Sequence, residues 1–240
     1  MIGVILAAGQ GKRLRAAWDL PKVLLPIGGK TLLENHIEGL RNLGADKIVV
    51  VVKYRKEEII DYAKRKGLQG LEFVEGQEGD TKYGRSLQKA MRKIGQDHDI
   101  IYVMGDHYIR YEDIPKAVTQ SEGDFILIGN SKPKIVNPKS ASRVLIDENG
   151  EILHNGKDIE EFDVLDTGLF ILRKKAIPII MQFDHEFDTS HIVDAIRRDQ
   201  HMKAIAIDVP DLLWFGCNTP EEVLRGMLWL EWQKIKKQLQ

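Results

Sequence analysis

A single cysteine, Cys217, leaves this 240-residue chain without an internal disulfide. A reducing, cytoplasmic setting follows most simply. No apolar run approaches the roughly 20 residues that a membrane-spanning helix needs. The apolar opening, Ile2 to Leu6, is too short for a secretory leader, and no cleavage pattern follows it. An excess of one charge is lacking too: 35 basic and 36 acidic residues leave a net charge of −1. That argues against a broad nucleic-acid surface, though not against a local anion pocket. Linkers, internal repeats and low-complexity segments are absent. What is present is a folded chain, 43% hydrophobic and 30% charged, long enough to bury a sizeable core.

The apolar runs Ile48 to Val52, Ile100 to Met104 and Phe125 to Ile128 carry no polar alternation, as strands buried on both faces require. Helical patterns at about 31 to 43, 55 to 67 and 84 to 95 lie between strand patterns. This βαβ series predicts an α/β fold with a Rossmann-like, mostly parallel sheet flanked by helices. Past about residue 130 the pattern is less regular. Arg143 to Ile146, an Asp147-Glu148-Asn149-Gly150 turn and Glu151 to His154 read as a hairpin. Val164 to Leu172 and Ala204 to Val209 read as strands, and about 174 to 182 and 189 to 199 as helices. Thr219-Pro220-Glu221-Glu222 is a helix start, with a capping hydroxyl, a proline at the first position and acids in the first turn. A single domain over residues 1–240 is expected. In its final stretch, Glu221 to Gln240, the residues Leu224, Met227, Leu228 and Trp232 read as intramolecular core ahead of a dimer face; a homodimer stays open.

The first 22 residues hold the most specific signal. The strand Ile2 to Leu6 opens into Ala7-Ala8-Gly9-Gln10-Gly11-Lys12-Arg13-Leu14, and Pro21-Lys22 follows. Small residues let backbone N–H groups close on an anion and the cations neutralise it, so the stretch suits phosphate. A dinucleotide fingerprint would need a third glycine where Leu14 stands, and an acid closing the second strand, which here ends Val52-Lys53-Tyr54. A Walker loop would need four residues between its glycines and then Lys-Ser or Lys-Thr. Neither pattern is met, which leaves another phosphate ligand or a plain strand-to-helix turn.

The strand Ile100 to Met104 ends in Gly105-Asp106-His107. An acid at the carboxyl end of a central parallel strand lies on the ligand-bearing edge of such a sheet. Mg²⁺ takes few protein carboxylates and bridges substrate phosphates. Asp106 is therefore a candidate metal ligand, against the plainer reading of a strand-end turn residue. Cys217 reads as a small buried apolar residue before a reactive one.

Leu6 to Leu14, then Pro21-Lys22, then Leu25-Pro26-Ile27-Gly28-Gly29-Lys30-Thr31-Leu32-Leu33 resembles, in order, the signature of the sugar-phosphate nucleotidylyltransferase family. That family activates phosphorylated sugars, polyols and aminoalcohols with nucleoside triphosphates, and the resemblance extends along the whole chain. It implies a triphosphate wrapped by Leu6, Ala7, Ala8, Gly9, Gly11 and Lys12, with Arg13 and Lys22 as its catalytic cations. It implies Mg on Asp106 and on Asn218, which replaces the family's usual Asp in Trp214-Phe215-Gly216-Cys217-Asn218-Thr219. Asn218 also suits a turn before a capped helix. Glu75 to Leu87 falls on the family's base-reading loop; Gly84 and Ser86 match its Gly-x-Ser-Leu element, and Tyr83 replaces a more usual Asn.

Met104-Gly105-Asp106-His107, Gly156 to Asp163 and Val164-Leu165-Asp166-Thr167-Gly168-Leu169-Phe170 are similar to the cytidylyltransferase part of archaeal and bacterial enzymes that make CDP-inositol from inositol 1-phosphate. The resemblance implies CTP and a small phosphorylated polyol as partners. Lys157 and Arg143 would meet the acceptor phosphate, Lys157 as a catalytic cation. Asp163, Asp166, Thr167 and Gly168 would surround the acceptor, since carboxylates accept strongly from hydroxyls. Lys157 and Arg143 also read as surface cations, and Asp163 as a turn cap. A membrane-embedded synthase follows in many such enzymes; ending at Gln240 without a span, this chain is expected to be the stand-alone form. A phosphate oxyanion needs no base to attack phosphorus, so His107 reads as a positioning or structural residue. Two other functions stay open. One is the same fold acting on a sugar 1-phosphate or on phosphocholine, whose ammonium calls for an aromatic cage where only Phe162 and Phe170 are near. The other is a nucleotide-sensing module without turnover.

Overall fold

Alternate residues of β1 (Ile2–Ala7) drop into two different apolar layers. In the computed structural model, which describes residues 1–76 and 82–239, Ile5 packs with Leu40, Val50 and Ile59 on one face of the sheet. Val4 packs with Val49, Leu87 and Tyr102 on the other. A strand covered on both sides has no polar face, hence the unbroken apolar runs.

The two-residue strands β2 (Pro26–Ile27) and β3 (Lys30–Thr31) form a small hairpin ahead of α1 (Leu32–Asn42). That helix starts with a capping box: Thr31 Oγ1 accepts from the Glu34 N–H (3.2 Å), and the Glu34 carboxylate accepts from the Thr31 N–H (2.8 Å). Then come β4 (Lys47–Val52), α2 (Lys56–Arg65), β5 (Leu71–Glu75), α3 (Gly84–Ile94) and β6 (Ile100–Met104). The strands β6-β1-β4-β5 run parallel, with α1 and α2 against one face and α3 against the other. The three expected helices stand where the periodicity put them.

The βαβ series ends at β6. The chain continues through β7 (His107–Ile109) and short 3-10 turns into β8 (Phe125–Asn130) without an α-helix between them. The hairpin β9 (Arg143–Ile146) and β10 (Ile152–Gly156), then β11 (Val164–Leu172), α4 (Ile177–Met181), α5 (Thr189–Arg198) and β12 (Ala204–Asp208) follow. β11 is antiparallel to both β6 and β8, and β12 runs parallel to β8. The apolar run at Phe125 thus reports burial on both faces, not a helical crossover.

Two close contacts place the functional edge. A Cβ on Gly105 would lie 2.8 Å from Leu6 O, which already accepts the Gly105 N–H (3.0 Å). Only glycine lets the end of β6 pass β1 so closely, and Asp106 comes next. The strand β13 (Trp214–Gly216) pairs antiparallel with β7, and the Cys217 N–H donates to Asp106 O (2.8 Å). Asn218 is thereby drawn alongside.

The last helix, α6 (Pro220–Gln238), is capped by Thr219, whose Oγ1 accepts from the Glu222 N–H (3.3 Å). It crosses Phe215 at Gly226, where a Cβ would meet the ring at 2.2 Å. Val223 and Gly226 face inward, with Trp229 and Leu230 half-buried. Leu224, Met227, Leu228 and Trp232, expected in the core, face outward instead, Leu228 at 62% exposure. The helix carries apolar residues on more than one side, and the Gly226 contact selects which side meets the body. Among the described residues no helix is long and apolar enough to cross a membrane. Gly226→Val is expected to lower stability by about 1–3 kcal/mol, the usual range for overpacking, read as a lower urea midpoint; an unchanged midpoint would show that α6 does not depend on this contact.

Candidate active site

The carboxyl ends of β1 and β6 open into a cleft of about 870 Å³, on the edge where open α/β sheets take ligands. After β1 the chain turns on Gly11: Leu14 and Arg15 both donate to Gly11 O (2.9 and 3.1 Å). Gly11 has φ +61°, and a Cβ there would sit 3.1 Å from Cγ of Lys22. The N–H groups of Gly9 to Arg13 make no backbone hydrogen bond among the described residues. A row of free N–H donors in a turn is a concave positive surface that suits an anion. Leu6, Ala7, Ala8, Gly9, Arg13 and Lys22 line the cleft. Gly11 and Lys12 stand outside its lining, Gly11 shaping the turn and Lys12 exposed.

Lys22 opens a 3-10 turn, Lys22–Leu24. Its Nζ donates to Asp106 Oδ2 (2.9 Å) and to Asn218 Oδ1 (2.7 Å). The Lys22 side chain is 13% exposed and that of Asp106 29%. Burial alone would raise the Asp106 carboxyl. The adjacent Lys22 ammonium, helped by His107, outweighs it and holds the group below the usual carboxylate range. Asn218 is held by its own N–H, which donates to the Glu222 carboxylate (2.9 Å). Two hard oxygen donors from distant parts of the chain thus converge on one cation. That donor set fits Mg²⁺, which needs only one or two protein oxygens beside water and phosphate.

His107 Nδ1 lies 2.8 Å from Thr167 O, so that nitrogen carries the proton. The ring leans on Trp214 at 5.8 Å and staples β7 to β11. Gly168, at φ +81°, makes room for it: a Cβ there would lie 2.4 Å from His107 Nδ1. Asp166 Oδ1 accepts the Gly168 N–H (2.7 Å). Burial pushes the Asp166 carboxyl up to about 6, against the lowering pull of that N–H and of His107. Cys217 is fully buried, and burial beside Asp106 pushes its thiol far above the ordinary range; it packs and does not react.

Lys157, Asp166 and Gly168 line the far wall of the cleft, and Ser86 belongs to the lining too. Lys82, Asp188 and Ser190 join them there, unforeseen from sequence. Asp188 precedes α5; despite partial burial, Ser190 Oγ (2.6 Å), His191 Nδ1 (2.8 Å) and Lys82 Nζ (3.1 Å) hold its carboxyl down at about 2. In sequence, Asp188-Thr189-Ser190 signals only a helix start. The Tyr83 ring stacks on Phe170 (6.5 Å), and its hydroxyl lies 2.8 Å from Thr189 Oγ1, giving the cleft an aromatic floor. Residues 77 to 81 of the base-reading stretch lie outside the described residues.

Arg143, Asp163, Thr167 and Gly84 stand outside the lining, each bonded to backbone. Arg143 donates to Pro138 O (3.3 Å) and Ile159 O (2.6 Å) and lies over the Phe162 ring. Asp163 Oδ2 accepts the Ile146 N–H (2.9 Å), and Thr167 Oγ1 donates to Ile128 O (2.6 Å). The Gly84 N–H donates to Phe187 O (2.9 Å), an approach no side chain would permit, since a Cβ would lie 2.5 Å from that oxygen.

The Asp166 carboxyl gives a pH signature. Its ordinary value is 3.8 and its folded value about 6, so between those values the folded chain holds a proton that the unfolded chain has lost. Stability from this group therefore falls as pH rises through that window. Asp166→Asn keeps an acceptor for Gly168 and removes the titration. Relative to the parent, it is expected to gain about 1–2 kcal/mol between pH 4 and pH 7, after allowance for partial exposure. Urea unfolding at both pH values measures this, and a difference independent of pH would contradict it.

Residues 3–161 match the family of the MobA-like NTP transferase domain. A protein of Rubrobacter xylanophilus named bifunctional IPC transferase and DIPP synthase is 35% identical over 174 residues, covering 72% of this chain and 38% of that protein. Its namesake from Aquifex aeolicus is 28% identical over 235 residues, covering 97% of this chain and 52% of that one. This chain thus spans about half or less of their length. The solved inositol-1-phosphate CTP transferase from T. maritima superposes with a TM-score of 0.81 over 95% of both chains at 22% identity, which shows a shared fold. With the Gly9 to Arg13 loop, Lys22 and Asp106 all inside the matched stretch, the chain belongs to the MobA-like NTP transferase family.

Proposed function

We propose that this chain transfers the cytidylyl group of CTP to inositol 1-phosphate, with Mg²⁺ as cofactor, giving CDP-inositol and pyrophosphate. The observation that carries nucleotidyl transfer is the meeting of the free N–H row at Gly9 to Arg13, with Lys22, at the Asp106–Asn218 oxygen pair. The choice of substrates is supported by the IPC transferase and inositol-1-phosphate CTP transferase relatives. It is supported also by Asp166, a carboxylate in the cleft wall suited to ring hydroxyls. Of the two phenylalanines near the expected acceptor region, Phe162 is covered by Arg143 and stands outside the cleft lining, and the other, Phe170, is stacked on Tyr102 at 4.7 Å.

The triphosphate lies along residues 7 to 13, its charge met by the loop N–H groups and Arg13. Asp106 and Asn218 would hold the divalent cation, which when bound neutralises charge on the transferred group. Lys157, on the far wall, meets the acceptor phosphate and turns one of its oxygens toward the α-phosphorus. That oxygen forms the new P–O bond as the α–β bridge breaks, and pyrophosphate leaves with the electron pair. The attacking oxygen is already an anion, so no proton has to be removed. Catalysis rests on positioning and charge neutralisation, and His107 serves by fixing the turn that carries Asp106.

A pyrophosphate-release screen tests this directly, with four nucleoside triphosphates against inositol 1-phosphate, phosphocholine and several sugar 1-phosphates. CTP with inositol 1-phosphate should turn over fastest; another preferred pair would replace the proposed substrates, and silence in every well would point to a binding module. Asp106→Ala is expected to cut the rate by roughly 10²–10³-fold or more, as for other losses of one preorganised charge-stabilising group.

A further inference from the structure

Lys22 stands where the metal would stand. Its ammonium bridges Asp106 Oδ2 at 2.9 Å and Asn218 Oδ1 at 2.7 Å. A divalent cation bound by the same two oxygens, at about 2.1 Å from each, would overlap that nitrogen and repel it. The two cations exclude each other. We propose that Lys22 is a built-in cation that fills the metal position of the free protein and must leave before metal can enter. This rests on the reading of Asp106 and Asn218 as the metal pair.

Three features support the exchange. The Asp106 carboxylate is largely enclosed, and its backbone oxygen is held by Cys217. Leaving a half-buried carboxylate without a counter-charge is strongly unfavourable, so the free protein needs a cation at this place. The Lys22 stem runs past the side-chain-free face of Gly11, where a Cβ would meet its Cγ at 3.1 Å and its Cε at 3.3 Å. The absence of that Cβ leaves the stem room to turn. The stem also sets the destination, because Gly11 belongs to the loop whose free N–H groups await phosphate. On leaving Asp106, the ammonium meets the triphosphate as its nearest anion.

Metal affinity in the absence of nucleotide is then reduced by the fraction of time that Lys22 spends away from the oxygen pair. A triphosphate offers Lys22 another partner and raises that fraction. Nucleotide and metal therefore help each other, reciprocally, beyond any direct bond between them. Metal without nucleotide is disfavoured.

The test is binding of Mn²⁺, as a spectroscopic stand-in for Mg²⁺, to nucleotide-free protein by electron paramagnetic resonance. Lys22→Met is expected to bind Mn²⁺ about tenfold more tightly or better, as release of a site occupied for nine-tenths of the time or more requires. Arg13→Met removes a cation from the same cleft that touches neither Asp106 nor Asn218, and should gain far less. Mn²⁺ should also raise the melting temperature of Lys22→Met more than that of the parent. Lys22→Gln is neutral and keeps an amide donor near Asp106; it should tighten binding too, and serves if the methionine variant does not fold without metal. Equal or weaker binding by the Lys22 variants overturns the proposal, as does an equal gain in Arg13→Met, which would mean a field effect without occupancy. If adding Asp106→Asn to Lys22→Met leaves its Mn²⁺ binding unchanged, the metal-pair reading has failed, and the proposal falls with it.

Discussion

Asp106 and Asn218 reach the cleft from different halves of the chain and aim their oxygens at one half-buried point. Bringing two electron-rich groups together out of water is unfavourable unless a cation lies between them. Everything else at the functional edge follows from meeting that condition. Gly105 gives up its side chain so that β6 can press against Leu6 and deliver Asp106 to the edge where β1 ends. The Cys217 N–H clamps the second donor to the first. Lys22 supplies the charge, and its stem runs past the side-chain-free face of Gly11.

Around this pair the molecule divides its labour. The parallel strands β6-β1-β4-β5 with α1, α2 and α3 make one side, which carries the free N–H row of Gly9 to Arg13 and Asp106. The antiparallel strands around β11 make the other wall, where side chains of several elements line the cleft. Phosphates are alike in all nucleotides and can be met by backbone groups, whereas acceptors differ and are met by side chains. The glycines follow the same division. Gly105 and Gly11 permit close passage of main chain, and Gly168 permits a histidine to staple the two walls together.

Much of this was legible in the residues. Apolar runs without alternation marked strands covered on both faces, and Thr219 marked a helix start that the structure places one residue before α6. Lys22, Asp106 and Asn218 were legible as separate signals; that one ammonium joins them was not, because nothing local connects residues so far apart. Strand direction was not legible at Phe125 to Ile128, since burial on both faces writes the same pattern into parallel and antiparallel strands. Arg143 and Asp163 have the chemistry to bind a ligand and use it on backbone groups a few residues away. Asp188 presented the opposite problem: a helix-start residue that the tertiary fold carries to the cleft wall. In α6, apolar residues on more than one side left the buried face undecided until Phe215 met Gly226.

The bond from Lys22 to Asn218 spans 196 positions, which makes the site a late event in the life of each molecule. Contacts so remote in sequence close after local helices and hairpins have formed. On a ribosome adding about 5–20 residues each second, Lys22 waits on the order of ten seconds or more for its second oxygen. During that interval it and the Asp106 strand exist without Asn218, so the oxygen pair can close only after β13 and the turn beyond it have emerged. Topology alone dates the pair to the late part of this domain's synthesis.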